Sequence, residues 1–347
     1  MGKTSVTIRD VAQRAGVSIA TVSYVLNASA PISERTRTRV LAAAAELGYR
    51  PSAIARGLRA RESRIIGYNW HHVPPDKWHP IRDRFLYSIA EAAETQGYHI
   101  LTFTHTPHNR SRRPYEDLML TGQVDGFILS DTSRDDERIR YLLGAGFPFV
   151  AFGRANEAWD FPYVDVDGET GMCQAVEHLL SLGHRRVGLI AWPEESLSGQ
   201  YRYQGYLRAL ESAGIVPDSA WIVRGEHTEA SGRQATRTLL DLPSGRRPTA
   251  VVAVSDLMAI GAMNALYEIG LQPGQDVAVV GFDDIPTAQY VRPALTTLRQ
   301  PIAEVGERAV DMLLRLIQGQ ELAERSVLLS PKLIVRASSG GIVTRQE

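Results

Sequence analysis

The 347-residue chain predicts two kinds of structure in series. A small all-α helix-turn-helix headpiece with a hinge comes first, then a two-lobed α/β body made of two parallel sheets flanked by helices. Three observations carry this. Near the N-terminus, two short amphipathic stretches are joined by a tight turn containing glycine. After residue 64 the pattern changes to about nine strand–helix alternations, more than one doubly wound sheet normally holds. The length itself exceeds one compact core and suggests two or three domains.

The first stretch begins at Thr7, a good helix N-cap, with Asp10 three residues on, near the positive helix end. Ile8, Val11, Ala12 and Ala15 fall on one helical face, and Gly16 ends the helix because a left-handed residue there costs glycine little. Val17 plugs the corner. Ser18 caps a second helix whose apolar residues are Val22, Val25 and Leu26. A third helix starts at Ser33, turns Val40, Leu41, Ala44 and Leu47 inward, and stops at Gly48. In this arrangement the second helix is the one offered to a DNA major groove.

Charge separates this reading from a plain three-helix bundle. Residues 1–63 carry ten Lys/Arg against four Asp/Glu, while the whole chain has a net charge of −1. A basic segment on a near-neutral body is the electrostatic footprint of a phosphate-binding module. Residues 51–63 are short, basic and poor in large apolar side chains. Ile54 and Leu58, four apart, could share a helical face, but so short a helix is marginal alone.

Residues 7–27, then Gly48-Tyr49-Arg50-Pro51 and Ala53-Ile54-Ala55-Arg56-Gly57-Leu58, resemble the DNA-binding headpiece and hinge of the LacI/GalR family of bacterial repressors. The resemblance implies that residues 52–58 fold into a hinge helix on DNA. Two such helices, one per subunit, would enter the minor groove, with Leu58 as an apolar wedge at a base step. The residues expected at DNA are Thr7, Ser18, Ile19, Ala20, Thr21, Ser23, Tyr24, Asn27, Arg35, Ser52, Ala55, Leu58 and Arg59. Many members have Arg where Tyr24 stands. Ile19 and Ala20 occupy the two positions deepest in the groove, where they can touch thymine methyls but cannot pair with guanine. The operator half-site should differ accordingly.

In the body, strands are expected over 64–68, 99–103, 124–129, 148–152, 163–166, 187–191, 220–223, 250–254 and 277–281. Helices are expected over 81–96, 114–121, 135–143, 170–182, 201–213, 230–240 and 257–269. Apolar runs such as Val277-Ala278-Val279-Val280 suit central parallel strands. The division expected is 1–50 headpiece, 51–63 hinge, 64–340 effector-binding body and 341–347 tail. Within the body the first lobe takes about 64–162 plus 292–325, and the second about 163–291 plus 326–340. The motifs Val124-Asp125-Gly126, Gly281-Phe282-Asp283-Asp284 and Pro293-Ala294-Leu295-Thr296-Thr297 resemble the periplasmic-binding-protein fold. That resemblance implies a tail, helix 302–317 and strand 327–335, crossing back to complete both lobes.

Ligands of open α/β sheets bind beyond the carboxyl ends of strands, which here face one another across a cleft. The residues expected at an effector are Trp70, His71, Arg82, Asp131, Arg154, Arg202, His227, Asp256 and Asp283. Arg202 and Asp283 match positions with which the family holds effector. A carboxylate accepts two adjacent hydroxyls and a guanidinium donates in a planar fork, so the pair suits a polyol. A sugar is the effector expected, with a purine or nucleoside as the alternative. Where many members have an Asn-Pro-Phe-Phe-like turn, this chain has His79-Pro80-Ile81-Arg82, so its pocket wall differs.

Other classes fit less well. No phosphate-binding P-loop, Gly-x-Ser-x-Gly or His-Glu-x-x-His motif occurs, so an enzyme with an appended headpiece is disfavoured. His71, His72 and His79 lack metal-ligand spacing and cysteine partners, and neither metal nor cofactor is expected. Cys173 is the single cysteine and reads as a buried inert thiol, consistent with a reducing cytoplasm. No run of about 18 apolar residues indicates a membrane span, and no signal-peptide h-region is seen, which disfavours a transport binding protein. The tail carries no leucine heptad. The C-terminal tetramerisation helix of some members of the resembled family thus has no counterpart, and that resemblance implies a homodimer on a near-palindromic operator.

Leu58→Ala should weaken binding to the operator and leave weak non-specific binding nearly unchanged, because the central base step loses its apolar filler. Operator affinity should fall by about three orders of magnitude between about 50 and 200 mM salt if ~6 phosphates are contacted. Gel-shift titration on operator and random DNA checks both. Equal loss on the two DNAs would show that Leu58 does not insert.

Overall fold

The computed structural model describes residues 6–27, 30–49, 62–71, 79–105 and 112–340. The expected hinge, with Ser52, Ala55, Leu58 and Arg59, lies outside the described residues, as do the side chains of Asn27, His71 and His105. The chain divides into two compact units, Met1–Arg64 and Ile65–Glu347.

The first unit holds α1 (Ile8–Ala15), α2 (Ile19–Asn27) and α3 (Glu34–Glu46). Thr7 caps α1: its backbone N–H and its hydroxyl both donate to Asp10 Oδ2, each at 2.7 Å. Gly16 ends the helix in the left-handed region at φ 63°. Ser18 Oγ then accepts from Thr21 N at 3.1 Å and starts α2, and Ser33 Oγ accepts from Thr36 N to start α3. Val11, Ala12, Ala15, Val22, Val25, Val40, Ala43 and Ala44 form the core. Leu41 departs from its expected inward position: it is 47 % exposed, and Ala43 takes its place in the core. In a run of Ala and Leu every position is apolar, so periodicity alone does not fix which face turns inward.

The second unit contains two parallel sheets. The first comprises β1 (Ile65–His71), β2 (His99–His105), β3 (Gly126–Leu129), β4 (Phe149–Phe152), β5 (Tyr163–Val166) and β11 (Ser326–Leu329), in the order β11-β5-β4-β3-β1-β2. The second comprises β6 (Val187–Ala191), β7 (Ile222–Arg224), β8 (Ala250–Ala253) and β9 (Ala278–Val280), in the order β7-β6-β8-β9. A short antiparallel pair, β10 (Thr297–Arg299) with β12 (Lys332–Ile334), adjoins the second sheet through Val280↔Thr296 and Asp283↔Arg299 bridges.

Around the first sheet lie α4 (Pro80–Thr95), α5 (Arg113–Leu120), α6 (Glu137–Ala145) and α11 (Ile302–Ile317). Around the second lie α7 (Gly168–Ser181), α8 (Leu197–Ser212), α9 (Glu229–Leu240) and α10 (Asp256–Glu268). Parallel strands need such covering, because both faces of the sheet are apolar.

Three expected assignments are corrected. Residues 163–166 belong to the first sheet, since β5 pairs with β4 on one side and β11 on the other. The expected single strand over 327–335 is two strands on different lobes, interrupted at Pro331. The chain thus passes between lobes three times: after β5, between β10 and α11, and between β11 and β12. Residues 302–329 sit with the first lobe. Residues 292–301, expected in the first lobe, belong to the second: Leu295 and Leu298 lie in its core, and Ser338 Oγ donates to Val279 O at 2.7 Å. A strand of four residues does not declare which of two parallel sheets it joins.

In the second lobe, helices pair with their backbones in contact. A Cβ at Gly232 of α9 would collide with the Met258 carbonyl of α10, and one at Gly261 with the Glu229 carbonyl of α9. Backbone cannot yield as a flexible side chain does, so Gly261→Ala should cost roughly 1–3 kcal/mol. Urea unfolding of the full chain measures this. A variant as stable as the wild type would show that the two helices separate freely.

Candidate ligand cavity and DNA-reading helix

Helix α2 exposes two large apolar side chains that no headpiece core explains: Ile19 at 41 % and Tyr24 at 45 %. Ala20 is also exposed, and Thr21 is half-buried beside it. Arg35, Arg37 and Arg39 are exposed on α3. Thr7 and Ser18 are exposed but already engaged in capping, Thr7 with Asp10 and Ser18 with Thr21. Ser23 is corrected: it is 8 % exposed and turned into the headpiece, so its hydroxyl is not presented outward. A helix surface with methyl-bearing and hydroxyl side chains at its start suits base edges, and exposed arginines in the same headpiece suit phosphates.

In the second unit, strand ends and helix starts of both lobes surround a cavity of about 400 Å³. The first lobe supplies the start of α4 (His79, Ile81, Arg82, Phe85), the end of β3 (Ser130, Asp131), and Phe152, Arg154 and Asp165. The second supplies Trp192, Tyr201, Arg202, His227, Asp283 and Gln300, among others.

Arg202 and Asp283 meet here, Nη1 to Oδ1 at 3.7 Å, both almost fully buried. The Arg202 guanidinium lies 3.7 Å from the Phe282 ring centroid and donates from Nη1 to the Val254 carbonyl. Gln300 Nε2 donates to Asp283 Oδ1 at 2.6 Å. Burial pushes the Asp283 carboxyl up from its ordinary range, and Arg202 opposes this. Burial likewise lowers Arg202. The turn is unusual in its backbone: Asp283 has φ 128° and Asp284 φ 49°, a region where non-glycine residues are strained.

Two further ion pairs line the wall. Arg82 donates from Nε to Asp131 Oδ1 at 3.0 Å, and Arg154 from Nε to Asp165 Oδ2 at 2.8 Å. Arg154 also stacks on Tyr201 of the opposite lobe, 3.3 Å from the ring centroid. His79 and His227, again from opposite lobes, meet edge to face at 5.1 Å. Trp192 lies 5.3 Å from His227. Among the described residues, Trp192 Nε1, Arg154 Nη2 and Arg202 Nε are buried donors without an acceptor. A bound molecule with oxygen acceptors is the natural complement of such donors.

Of the residues expected at an effector, Arg82, Asp131, Arg154, Arg202, His227 and Asp283 are brought together. Trp70 is not: it packs against the first-lobe core, 6.3 Å from Tyr68. Asp256 is also not on the wall. It is fully buried, accepting from Ile285 N at 2.8 Å and Thr297 Oγ1 at 2.5 Å, and so holds the Asp283 turn from behind. Asp165, Tyr201 and Gln300 were missed. Asp165 obeys the strand-end rule but sits on the strand assigned to the wrong sheet. Gln300 follows β10, a three-residue strand with no periodic signal. Tyr201 had a signal, its place beside Arg202.

Residues 7–52 match the family described as bacterial regulatory proteins, lacI family, and residues 176–339 match the periplasmic binding protein-like domain. The HTH-type transcriptional repressor CytR of Escherichia coli (strain K12) is 37 % identical over 350 residues, covering 97 % of each chain. The lac repressor dimer bound to operator and the anti-inducer ONPF superposes with a TM-score of 0.85 at 31 % identity, over 97 % of this chain and 100 % of that one. The transcriptional regulator CelR in complex with cellobiose gives a TM-score of 0.72 at 34 % identity, over 96 % of this chain and 99 % of that one. With a helix-turn-helix headpiece, a two-lobed body and relatives that are transcriptional repressors and not enzymes, this chain belongs to the LacI family of bacterial regulatory proteins.

Proposed function

We propose that the protein is a cytoplasmic repressor that binds a near-palindromic operator as a homodimer and is controlled by a sugar bound between its lobes. The Arg202–Asp283 pair on the cavity wall carries the reading: it offers a fork of donors and a fixed acceptor 3.7 Å apart, the spacing that two neighbouring ring hydroxyls can bridge. Phe152, Trp192 and Tyr201 add apolar faces for a sugar ring. The similar CelR binds cellobiose, and the lac repressor binds operator as a dimer, which supports both halves of the proposal. A sugar would act on uptake or catabolism genes. A nucleoside carries the same vicinal diol and is the alternative that a thermal-shift screen separates, since a tight ligand raises apparent stability.

Asp283→Ala should abolish the response of operator binding to the effector and leave operator affinity itself unchanged. Gel shift with and without ligand reads both quantities. A variant that still responds at the wild-type ligand concentration would remove Asp283 from the ligand site.

His227 stays neutral as a wall of this cavity. Burial, with His79 and the arginines 202 and 82 nearby, pushes it down to about 3 from its ordinary 6.5. The unfolded chain takes the proton more readily, so this contribution to stability is full above pH 6.5 and falls as pH drops toward 3. His227→Gln should therefore flatten the acid loss of stability below about pH 6.5 relative to the wild type. Parallel stability–pH curves for the two proteins would contradict a buried neutral ring.

A further inference from the structure

The charges on the cavity wall are arranged in matched pairs. Arg82 faces Asp131 at 2.9 Å, Arg154 faces Asp165 at 2.8 Å and Arg202 faces Asp283 at 3.7 Å. Glu226, on the same wall, adds a further negative charge. Among the described residues of the wall, every guanidinium thus already has a carboxylate to balance its charge, while Arg154 Nη2 and Arg202 Nε keep an N–H that a neutral oxygen can accept from. At two helix starts beside the cavity one backbone N–H is already taken by a cap. The α8 start is capped by Ser196 Oγ on Gly199 N at 3.1 Å, and the α7 start by Asp167 on Thr170 N at 3.0 Å. Helix α4 opens with Pro80, which has no N–H to give.

A phosphoryl group would bring nearly two negative charges into this setting. It would have to displace a carboxylate from its arginine or lie against it, and at the buried Arg154–Asp165 and Arg202–Asp283 pairs like charges in a desolvated site cost several kcal/mol. Hydroxyl groups meet no such penalty, because they both accept and donate.

We infer that the cavity selects an uncharged ligand and excludes its phosphorylated forms, with Asp131 and Asp165 as the residues that set this preference. The inference rests on the reading of the cavity as the effector site. It places the effector before any kinase step: the compound as imported, or as released by hydrolysis of a larger neutral one.

The test uses the full chain in two arms. The first measures binding by calorimetry for matched pairs: glucose with glucose 6-phosphate, ribose with ribose 5-phosphate, and adenosine with its 5′-monophosphate. In any pair that binds, the neutral member should be at least about 100-fold tighter. A phosphorylated member that binds equally or better overturns the inference while leaving the regulator reading intact. Adenosine bound and its monophosphate refused would sustain it while removing the sugar reading.

The second arm needs no known ligand. Inorganic phosphate at constant ionic strength should raise the melting temperature of Asp131→Asn, in which Arg82 is uncovered, by roughly 2 °C beyond the wild-type response. Asparagine suits this position, since Asp131 has φ 53°. The gain should vanish when Arg82→Gln is added. Asp165→Asn, which uncovers Arg154, is the independent second variant. If both single variants respond to phosphate as the wild type does, the carboxylates are not what keeps anions out, and the inference fails.

Discussion

A wholly buried carboxylate holds the ligand cavity in shape. Asp256 lies behind the Asp283–Asp284 turn and accepts from Ile285 N and Thr297 Oγ1. Both turn residues have positive φ, which costs on the order of 1–3 kcal/mol each unless the surroundings over-determine it. The surroundings do. Asp284 is tied to Arg299 at 2.6 Å and Arg336 at 2.7 Å, Asp283 N donates to Leu298 O, and Asp283 Oδ1 accepts from Gln300. Without that support the turn would relax, and Asp283 would no longer face Arg202. Burial raises the Asp256 carboxyl well above its ordinary range, with the nearby Asp283 adding to the effect. That is the expected electrostatic cost of stacking acids in one low-dielectric corner.

The same corner joins the lobes. Arg84 of α4 donates to the Asp284 carbonyl at 3.3 Å, so a first-lobe helix touches the strained second-lobe turn directly. Arg154 on Tyr201 and His79 against His227 are two more contacts across the cleft. A ligand that contacted Asp283 would therefore act on a turn with a partner in the other lobe. This supplies a physical route from occupancy to a change of lobe arrangement, provided the ligand prefers one arrangement over the other.

Much of this was legible in the sequence where the signal is local. Caps at Thr7, Ser18 and Ser33, the stop at Gly16 and the strand–helix alternation each depend on residues a few positions apart. So does the strand-end rule that located Asp131, Arg154 and His227. Non-local choices were not legible. Nothing in Tyr163–Val166 says which sheet it joins, and Asp165 was lost with it. Asp256 follows a strand just as Asp131 does. It turns behind the wall because Ile285 N and Thr297 Oγ1, both far along the chain, capture it. Ser23 and Leu41 were misplaced for a related reason: in short helices rich in small residues, neighbouring faces carry nearly the same hydrophobicity.

If Arg202 and Asp283 hold the effector, that ligand and an operator held by the headpiece share one free-energy balance. Linkage makes this directly measurable, because coupling between two binding sites is reciprocal. The ligand Kd should be determined by calorimetry with and without saturating operator duplex. The two values should differ by about 5-fold or more, by the same factor as the ligand changes operator Kd. Identical ligand Kd values with and without DNA would show that the cavity does not control the headpiece.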